Sequence, residues 1–366
     1  MELVLEQADL FVDENNGKLG LRDRGATSFS DGLTVKGSLC LMGTPIASLP
    51  DGLTVEGSLC LSDTPIASLP DGLTVGRNLY LGGTNVASLP DGLAVGGSIY
   101  LSGTPITSLP KGLTVKGDLG LRGTGITSLP ADLMVGGDLD LEGLPIKLLP
   151  DGLRVGGSLD LVCSGVEILP DGLVVGDSLF LTRTRIASLP KGLKVRGQLW
   201  ADRTDIASFP EGVEIGGGIN LSHTGITFLP DGLAVNGWFV LAGTDITSLP
   251  KGMTVRGWLD LSDTGITSLP DDLVAEGGLG LARTGITSIR DDMAAVNGWL
   301  DLSGTGIMSL PDGLTVEGRL DLRDTPITSL PNGLTVKGLL DLRNTPITSL
   351  PEDLVVEGKI FMPDAA

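Results

Sequence analysis

The side chains best suited to recognition in this chain are aromatic and cationic residues that recur at fixed offsets around its middle. Tryptophan, tyrosine and arginine are frequent anchors of protein interfaces. Their regular spacing predicts that they project from one face of a repeating structure. We predict a partner-binding site on this face, made of Phe180, Arg183, Trp200, Arg203, His223, Trp238 and Trp258.

No set of side chains in the sequence predicts catalysis. The chain has one histidine, His223, and neither a carboxylate pair nor a serine–histidine set stands out beside it. The Gly-Gly pairs, such as Gly96-Gly97, are typical of turns, whereas a dinucleotide fingerprint needs the GxGxxG spacing between a strand and a helix. We therefore predict a non-enzymatic protein without a cofactor.

Metal binding is also not expected. Asp51, Asp71 and Asp91 recur at one turn position, and Ca²⁺ sites need several such oxygen ligands. Other coils place Lys111 or Ala131 at that position, so the row of carboxylates is interrupted. The three cysteines provide no disulfide framework. Cys40 and Cys60 share a position in neighbouring repeats, which permits a disulfide, but we expect reduced thiols in a cytosolic protein.

These residues are carried by a 20-residue repeat, of which LTVEGSLCLSDTPIASLPDG (53–72) is one copy. The first leucine of the LxL motif recurs every twentieth residue from Leu19 to Leu279, where Ile99, Ile219 and Phe239 stand in for leucine. It continues at Leu300, because DDMAAVNG (291–298) contains one extra alanine. The count predicts about eighteen coils.

Alternating apolar residues predict two short strands in each coil. Leu53 and Val55 flank Thr54, and Leu59 and Leu61 flank Cys60, so each pair faces one side. A third run, 66–69, is expected to be extended, and the Pro-Asp-Gly sequence at 70–72 suits a type I turn. We predict an all-β, right-handed parallel β-solenoid of about 18 leucine-rich coils, in which stacked coils share one core.

The ends of the chain are expected to differ from the repeat. We predict an N-terminal cap at 1–16, a single solenoid domain at 17–362 and a short tail at 363–366. The tail is too short to cover a coil, so the last coil is expected to self-associate weakly.

Composition restricts the partners and the location. The net charge of -20 repels nucleic acid and anionic lipid, so we predict a protein partner and neither a nucleic-acid nor a membrane partner. The sequence lacks a basic N-terminal signal, and no apolar run approaches the ~18 residues of a membrane helix. We expect a cytoplasmic protein, with export as an effector left open.

The run LDLSGTGIMSLP (300–311) resembles LxLxxNxLTxLP of bacterial leucine-rich repeats, especially the 20-residue repeats of type III-secreted effectors. Threonine, for example Thr305, replaces the usual asparagine. The longer spacing from Leu53 to Leu59 implies an extra β segment on the convex side. The resemblance implies a protein-binding scaffold.

The residues leave two alternatives to a recognition surface open. The aromatic side chains also suit cross-strand packing alone. An acidic rod also suits a structural phage or cell-surface protein, or a mimic of DNA, although mimicry needs carboxylates on a helical path rather than straight rows. Ice binding is not favoured, because Ala67 and Lys147 interrupt the threonines at one of the repeat positions.

Overall fold

The structure is a computed structural model that describes residues 31–290 and 295–363, together with four short strands nearer the N-terminus. These strands are Val4–Leu5, Leu10–Asp13, Lys18–Leu21 and Ser28–Phe29. Every regular element in the described part of the chain is a strand, and no helix there could span a membrane. Most of the predicted cap at 1–16 and most of the predicted tail lie outside the described residues.

Each repeat folds into one coil with two short strands. The first, here called the valine strand, places Val55 in the core, and the second, called the LxL strand, begins at the first leucine of the motif, such as Leu59. A bend at Gly57 separates them. A Cβ atom at Gly57 would lie 2.6 Å from the backbone of Gly37, so this close approach of two coils requires glycine.

Residue contacts divide the chain into two compact units. The first unit comprises Met1–Arg185 and Gly192–Val195, and the second comprises Ile186–Lys191 and Arg196–Ala366. The predicted single domain therefore stays a prediction.

The valine strands follow the 20-residue period through both units. In the first unit they are Thr34–Val35, Thr54–Val55, Thr74–Val75, Ala94–Val95, Thr114–Val115, Met134–Val135, Arg154–Val155, Val174–Val175 and Lys194–Val195. In the second unit they are Glu214–Ile215, Ala234–Val235, Thr254–Val255, Val274–Ala275, Ala295–Val296, Thr315–Val316, Thr335–Val336 and Val355–Val356.

The LxL strands follow the same period. In the first unit they are Ser38–Cys40, Leu59–Cys60, Leu79–Tyr80, Ile99–Tyr100, Leu119–Gly120, Leu139–Asp140, Leu159–Asp160 and Leu179–Phe180. In the second unit they are Leu199–Trp200, Ile219–Asn220, Phe239–Val240, Leu259–Asp260, Leu279–Gly280, Leu300–Asp301, Leu320–Asp321, Leu340–Asp341 and Ile360–Phe361.

Corresponding strands of successive coils pair in parallel. Leu79 pairs with Ile99, for example, and the Leu79 amide donates to the Ser98 carbonyl at 2.9 Å. The exception among the described strands is Leu10–Asp13, which pairs antiparallel with Lys18–Leu21. The predicted parallel β-solenoid is confirmed, and the described residues contribute seventeen valine strands and seventeen LxL strands to it.

The predicted inward residues form the core. In the coil from Leu53 to Gly72, the six apolar side chains are between 0% and 8% exposed. They are Leu53, Val55, Leu59, Leu61, Ile66 and Leu69. Each is followed one coil later by another aliphatic side chain, so a continuous core runs inside each unit. The third run is extended without being a regular strand, and its clearest sheet contact is the bridge between Leu148 and Ile168.

Threonine closes the turn after the LxL strand. The Thr64 hydroxyl donates to the Leu61 carbonyl at 2.6 Å, and the Thr64 amide donates to the same oxygen at 3.2 Å. The threonine hydroxyl therefore satisfies a backbone carbonyl inside its own coil. The expected type I turn at 70–72 was wrong: the Leu73 amide donates to the Pro70 carbonyl at 3.4 Å, so Gly72 is the third residue of the turn, and its φ of 72° at that position belongs to a type II turn.

The extra alanine leaves the LxL sheet intact. Leu279 pairs with Leu300 and Gly280 with Asp301, so the additional residue is accommodated outside the LxL strands. The valine strands Val274–Ala275 and Ala295–Val296, in contrast, belong to different sheets. Residues 291–294 lie outside the described part of the chain.

Candidate partner-binding surface

Three outward rows of side chains run along the LxL strands, one residue per coil. The leading row is the residue directly before the motif, such as Trp258. The central row is the residue between its two leucines, such as Asp260. The turn row is the second residue after the motif, such as Asp263. Most described central-row side chains of both units are half-buried rather than fully exposed, because they lie between neighbouring coils.

In the second unit all four tryptophans of the chain form one continuous stack. The ring centroids of Trp200 and Trp238 lie 4.9 Å apart, those of Trp238 and Trp258 lie 5.6 Å apart, and those of Trp258 and Trp299 lie 6.2 Å apart. All four side chains are half-buried. We call this set the tryptophan stripe.

Glycines make room for the stripe. A Cβ atom at Gly218 would lie 2.3 Å from the Trp238 ring, and one at Gly278 would lie 2.5 Å from the Trp299 ring. Trp238 can therefore lean across the coil that contains Gly218 and reach Trp200, although the two tryptophans belong to different rows. Trp200 is fixed further by a hydrogen bond from its Nε1 to Gln198 Oε1 at 3.0 Å.

In the first unit the leading row is a hydrogen-bond ladder. Each side-chain oxygen accepts the backbone amide of the residue one coil further along. The Ser98 amide donates to Asn78 Oδ1 at 3.0 Å, and the Asp118 amide donates to Ser98 Oγ at 2.9 Å. The accepting side chains are Ser38, Ser58, Asn78, Ser98, Asp118, Asp138 and Ser158, of which Ser158 accepts the Ser178 amide. From Gly218 to Trp299 the second unit has only glycine and tryptophan in this row, and neither offers an acceptor oxygen on its side chain.

The turn row adopts positive φ throughout, which normally favours glycine. The first unit places glycine at most of these positions, for example Gly83 and Gly103. The second unit instead places larger side chains there, with Arg203 at 57°, His223 at 55° and Arg283 at 55°. Non-glycine residues in this conformation cost about 1–2 kcal/mol each, so these side chains are held at positions that the backbone does not favour.

A short charged series follows His223 along the turn row. A Cβ atom at Gly243 would lie 2.6 Å from His223 Nδ1, so the imidazole covers this glycine. In the next coil Asp263 accepts two hydrogen bonds from Arg283, each of 2.5 Å. These bonds, with smaller contributions from the charges of Arg283 and His223, lower the pKa of Asp263.

The central row carries acidic side chains of two kinds. Asp260 and Asp301 are half-buried, and each accepts a backbone amide two residues later at 2.9 Å.

Asp341 is 1% exposed. Burial raises its pKa, but hydrogen bonds from the Arg343 side chain and backbone and the charge of Arg323 outweigh burial and lower it. Asp321 is equally buried and accepts hydrogen bonds from Arg323. These two aspartates are therefore neutralised by arginine.

The structure places the predicted site residues in both units. Phe180 and Arg183 lie in the first unit, where Phe180 is half-buried and Arg183 occupies a turn-row position with a φ of 60°. Trp200, Trp238 and Trp258 are brought together in the second unit. Arg203 and His223 lie in its turn row. Sequence reasoning left out Trp299, although it stands at the same repeat position as Trp238 and Trp258.

One acidic cluster has the spacing of metal ligands. Carboxylate oxygens of Asp140, Glu142 and Asp160 in the first unit lie within 4.8 Å of one another. Glu142 also pairs with Arg122 at 2.6 Å, and Asp140 accepts the Glu142 amide at 2.9 Å. Burial raises the pKa of Asp160. These contacts explain the cluster without a metal, and we assign none to it.

The fold has clear counterparts among solved structures. YopM from Yersinia enterocolitica is 18% identical, covers 95% of this chain and 92% of its own, and gives a TM-score of 0.51. A leucine-rich-repeat protein of Leptospira interrogans is 18% identical, with 89% and 86% covered and a TM-score of 0.44. YopM from Yersinia pestis is 15% identical, with 89% and 88% covered and a TM-score of 0.43.

No protein-family model and no curated protein matches the sequence. Identities this low to solved structures establish the fold alone. With its LxL strands, turn threonines and leucine-lined core, the chain is a leucine-rich-repeat solenoid that resembles the repeat regions of bacterial effector proteins.

Proposed function

We propose that this protein is a non-enzymatic scaffold that binds a protein partner on the outward face of its LxL sheet, centred on the tryptophan stripe. The observation that carries the proposal is the continuous, half-exposed stack of all four tryptophans in the second unit. Half-exposed tryptophan provides a large contact area at a low loss of side-chain freedom, which is why it is frequent at interface centres.

The scaffold does not require tryptophan in this row. A ladder hydrogen bond such as that of Ser98 contributes about 1 kcal/mol. A stacked aromatic pair contributes about 0.5–1.5 kcal/mol beyond burial, and the burial of the half-buried rings adds to that. Tryptophan therefore stabilises the row at least as well as serine or asparagine, but the first unit forms the same sheet with the ladder alone. The tryptophans also leave apolar surface open to solvent, and recognition of a partner explains why they are present.

The turn row supports the same conclusion independently. Arg203 and His223 occupy strained positions where glycine would be favoured. Both side chains carry nitrogen donors, and they lie in the turn row of the same unit as the stripe, on a protein with a net charge of -20. The sequence also predicts Phe180 and Arg183 as site residues; both lie in the first unit, and their part in partner binding stays a prediction. Charges at the border of an apolar patch set the orientation of a partner and exclude wrong ones.

Affinity capture with the intact chain tests the proposal. The bait is compared with a Trp238→Ser/Trp258→Ser variant of the same chain, in which the centre of the stripe is missing. We expect at least one protein to bind the intact bait saturably and to be lost from the variant, while far-UV spectra of both baits remain strand-rich. Partners retained equally by the variant would contradict the proposed site.

The acidic-mimic alternative has less support. Asp321 and Asp341 are neutralised by arginines, so the central row does not present an unbroken series of free carboxylates. Competition with duplex DNA for a DNA-binding protein would test that alternative directly. Cytoplasmic location, export and self-association through the exposed residues Ile360, Phe361 and Met362 stay predictions.

A further inference from the structure

A cavity of about 340 Å³ opens in the first unit where the repeat is least regular. Two successive coils depart there from the consensus at several positions. Leu144 and Ser164 replace the turn threonine, while Lys147 and Glu167 replace a small or polar residue. The side chains that matter for its chemistry are Leu144, Lys147, Ser164, Glu167, Arg183 and Arg185.

Ser164 has a hydroxyl that the fold does not use. The residue is 6% exposed, and its Oγ has no hydrogen-bond partner. At the same position Thr124 and Thr184 each donate to the carbonyl three residues earlier at 2.7 Å. The Ser164 amide still donates to the Leu161 carbonyl at 2.9 Å, but the hydroxyl does not. A buried hydroxyl without a partner costs about 1–3 kcal/mol, so rotating the Ser164 side chain to donate to a ligand in the cavity that the residue lines would relieve this cost.

The cavity is cationic on a strongly acidic protein. Lys147, Arg183 and Arg185 line it, against one carboxylate, Glu167. Lys147 bonds Glu167 at 2.6 Å and lowers the pKa of that carboxyl, with Arg185 contributing from further away. Arg183 and Arg185 have no ion-pair partner among the described residues. Arg183 is also held at a φ of 60°, where most coils of this unit have glycine.

We propose that this cavity binds a phosphoryl group. Two arginines present forked donors that match phosphate oxygens, and the Ser164 hydroxyl supplies a further donor. A phosphate monoester carries a charge of about -1.5 to -2 near neutral pH, which balances three cations and one carboxylate. The shared chemistry fits both a free phosphate ester and a phosphorylated side chain of a protein. This site is independent of the tryptophan stripe.

Alkylation of Cys163 provides a local reporter. Cys163 lines the cavity and is exposed, whereas Cys60 is buried. In a Cys40→Ser background, inorganic phosphate is titrated while N-ethylmaleimide labelling of Cys163 is followed by mass spectrometry. We expect saturable slowing of labelling, at an ionic strength held constant with chloride. An Arg183→Gln/Arg185→Gln variant should bind phosphate about tenfold or more weakly.

The consensus substitution Ser164→Thr tests the hydroxyl itself. Threonine should turn its hydroxyl to the Leu161 carbonyl, as in the other coils, and weaken phosphate binding without lowering the melting temperature. Thr124→Ser is the matched control, because it creates a serine at the equivalent turn position of another coil, away from these cations. It should leave phosphate binding unchanged.

Two further ligands identify the source of the phosphoryl group. Equal affinity for free phosphoserine and for a phosphoserine peptide would indicate a small phosphate ester, and tighter binding of the peptide would indicate a phosphorylated protein. No saturable slowing by phosphate, or equal slowing in the double-arginine variant, would overturn the proposal.

Discussion

The leading row of the LxL sheet is built differently in the two units, although the coils beneath it are alike. In the first unit, serine, asparagine and aspartate side chains accept the backbone amides of the next coil, as Ser98 does for Asp118. From Gly218 to Trp299 in the second unit, tryptophan and glycine occupy the same position, and the rings stack on one another. The scaffold is therefore stable with either arrangement, and the row is free to be used for recognition.

The turn row shows the same contrast. Glycine predominates in the first unit, where positive φ causes no strain. In the second unit, Arg203, His223 and Arg283 adopt that conformation in spite of their side chains. Two rows thus depart in the same unit from the residues that the backbone favours. Departures of this kind are typical of functional surfaces.

The largest expected effect is common to both units, because their cores are the same. Leu79 and Leu259 are both 0% exposed. Leu79→Asp and Leu259→Asp should each destabilise the fold by about 4 kcal/mol or more, since each buries a charge among aliphatic side chains. Thermal unfolding followed by circular dichroism measures the change. If Trp258→Asp were equally damaging, the division between inward and outward positions would be wrong.

A smaller effect should separate the two leading rows. Ser98→Ala removes the acceptor of the Asp118 amide and should lower the free energy of unfolding by about 1–2 kcal/mol. The melting temperature and the hydrogen exchange of the Asp118 amide measure it. Faster exchange confined to that coil is the expected pattern, and unchanged exchange would show that the ladder does not stabilise the sheet.

The reverse substitution should affect stability much less than a core substitution does. Trp258→Asn places an acceptor beside the Gly278 amide, one coil further along, and removes the stacking with Trp238 and Trp299. A gain of about 1 kcal/mol against a loss of about 0.5–1.5 kcal/mol for each of the two pairs gives a net loss of up to about 2 kcal/mol, to which the lost burial of the half-buried ring adds. Chemical denaturation measures this change. A loss as large as that of Leu259→Asp would mean that the tryptophan stripe is part of the structural core.

The smallest expected effect concerns Asp263 and Arg283. Because Arg283 lowers the pKa of Asp263, the ion pair stabilises the fold at pH values above the ordinary carboxyl pKa of about 3.9. This stabilisation is lost as the pH falls through the lowered pKa of Asp263. Both side chains are largely exposed, at 44% and 62%, so Arg283→Gln should cost only about 0.2–1 kcal/mol at neutral pH. Melting temperatures of the variant and the parent should converge in acid. A difference in melting temperature that grows in acid would contradict the lowered pKa of Asp263.

Much of the fold follows from the sequence because the repeat is so regular. The 20-residue period, the inward set represented by Leu53 and Val55, and the turn threonine all follow from residue type and spacing. The turn type could not be predicted securely, because Pro-Asp-Gly suits both type I and type II turns and only the positive φ of Gly72 distinguishes them.

The candidate site was only partly predictable. Trp238 and Trp258 share an outward position that the repeat reveals, and Trp299 shares it too. Their contact with Trp200 depends on the space above Gly218, which spacing alone does not show. The ladder in the first unit was visible as a run of serine, asparagine and aspartate, but its function depends on the distance between coils. The positive φ of Arg203 and His223 likewise required the backbone.

The most direct test compares two aromatic pairs on the same scaffold. Tyr80 and Tyr100 of the first unit stack with centroids 5.0 Å apart, much as Trp238 and Trp258 of the second unit do at 5.6 Å. The measurement is the dissociation constant of a captured partner for Trp238→Asn/Trp258→Asn and for Tyr80→Asn/Tyr100→Asn, at a temperature where both remain folded. We predict that binding weakens about a hundredfold or more in the tryptophan variant and stays within about twofold of the parent in the tyrosine variant. Equal affinity in the two variants would contradict the assignment of recognition to the second unit.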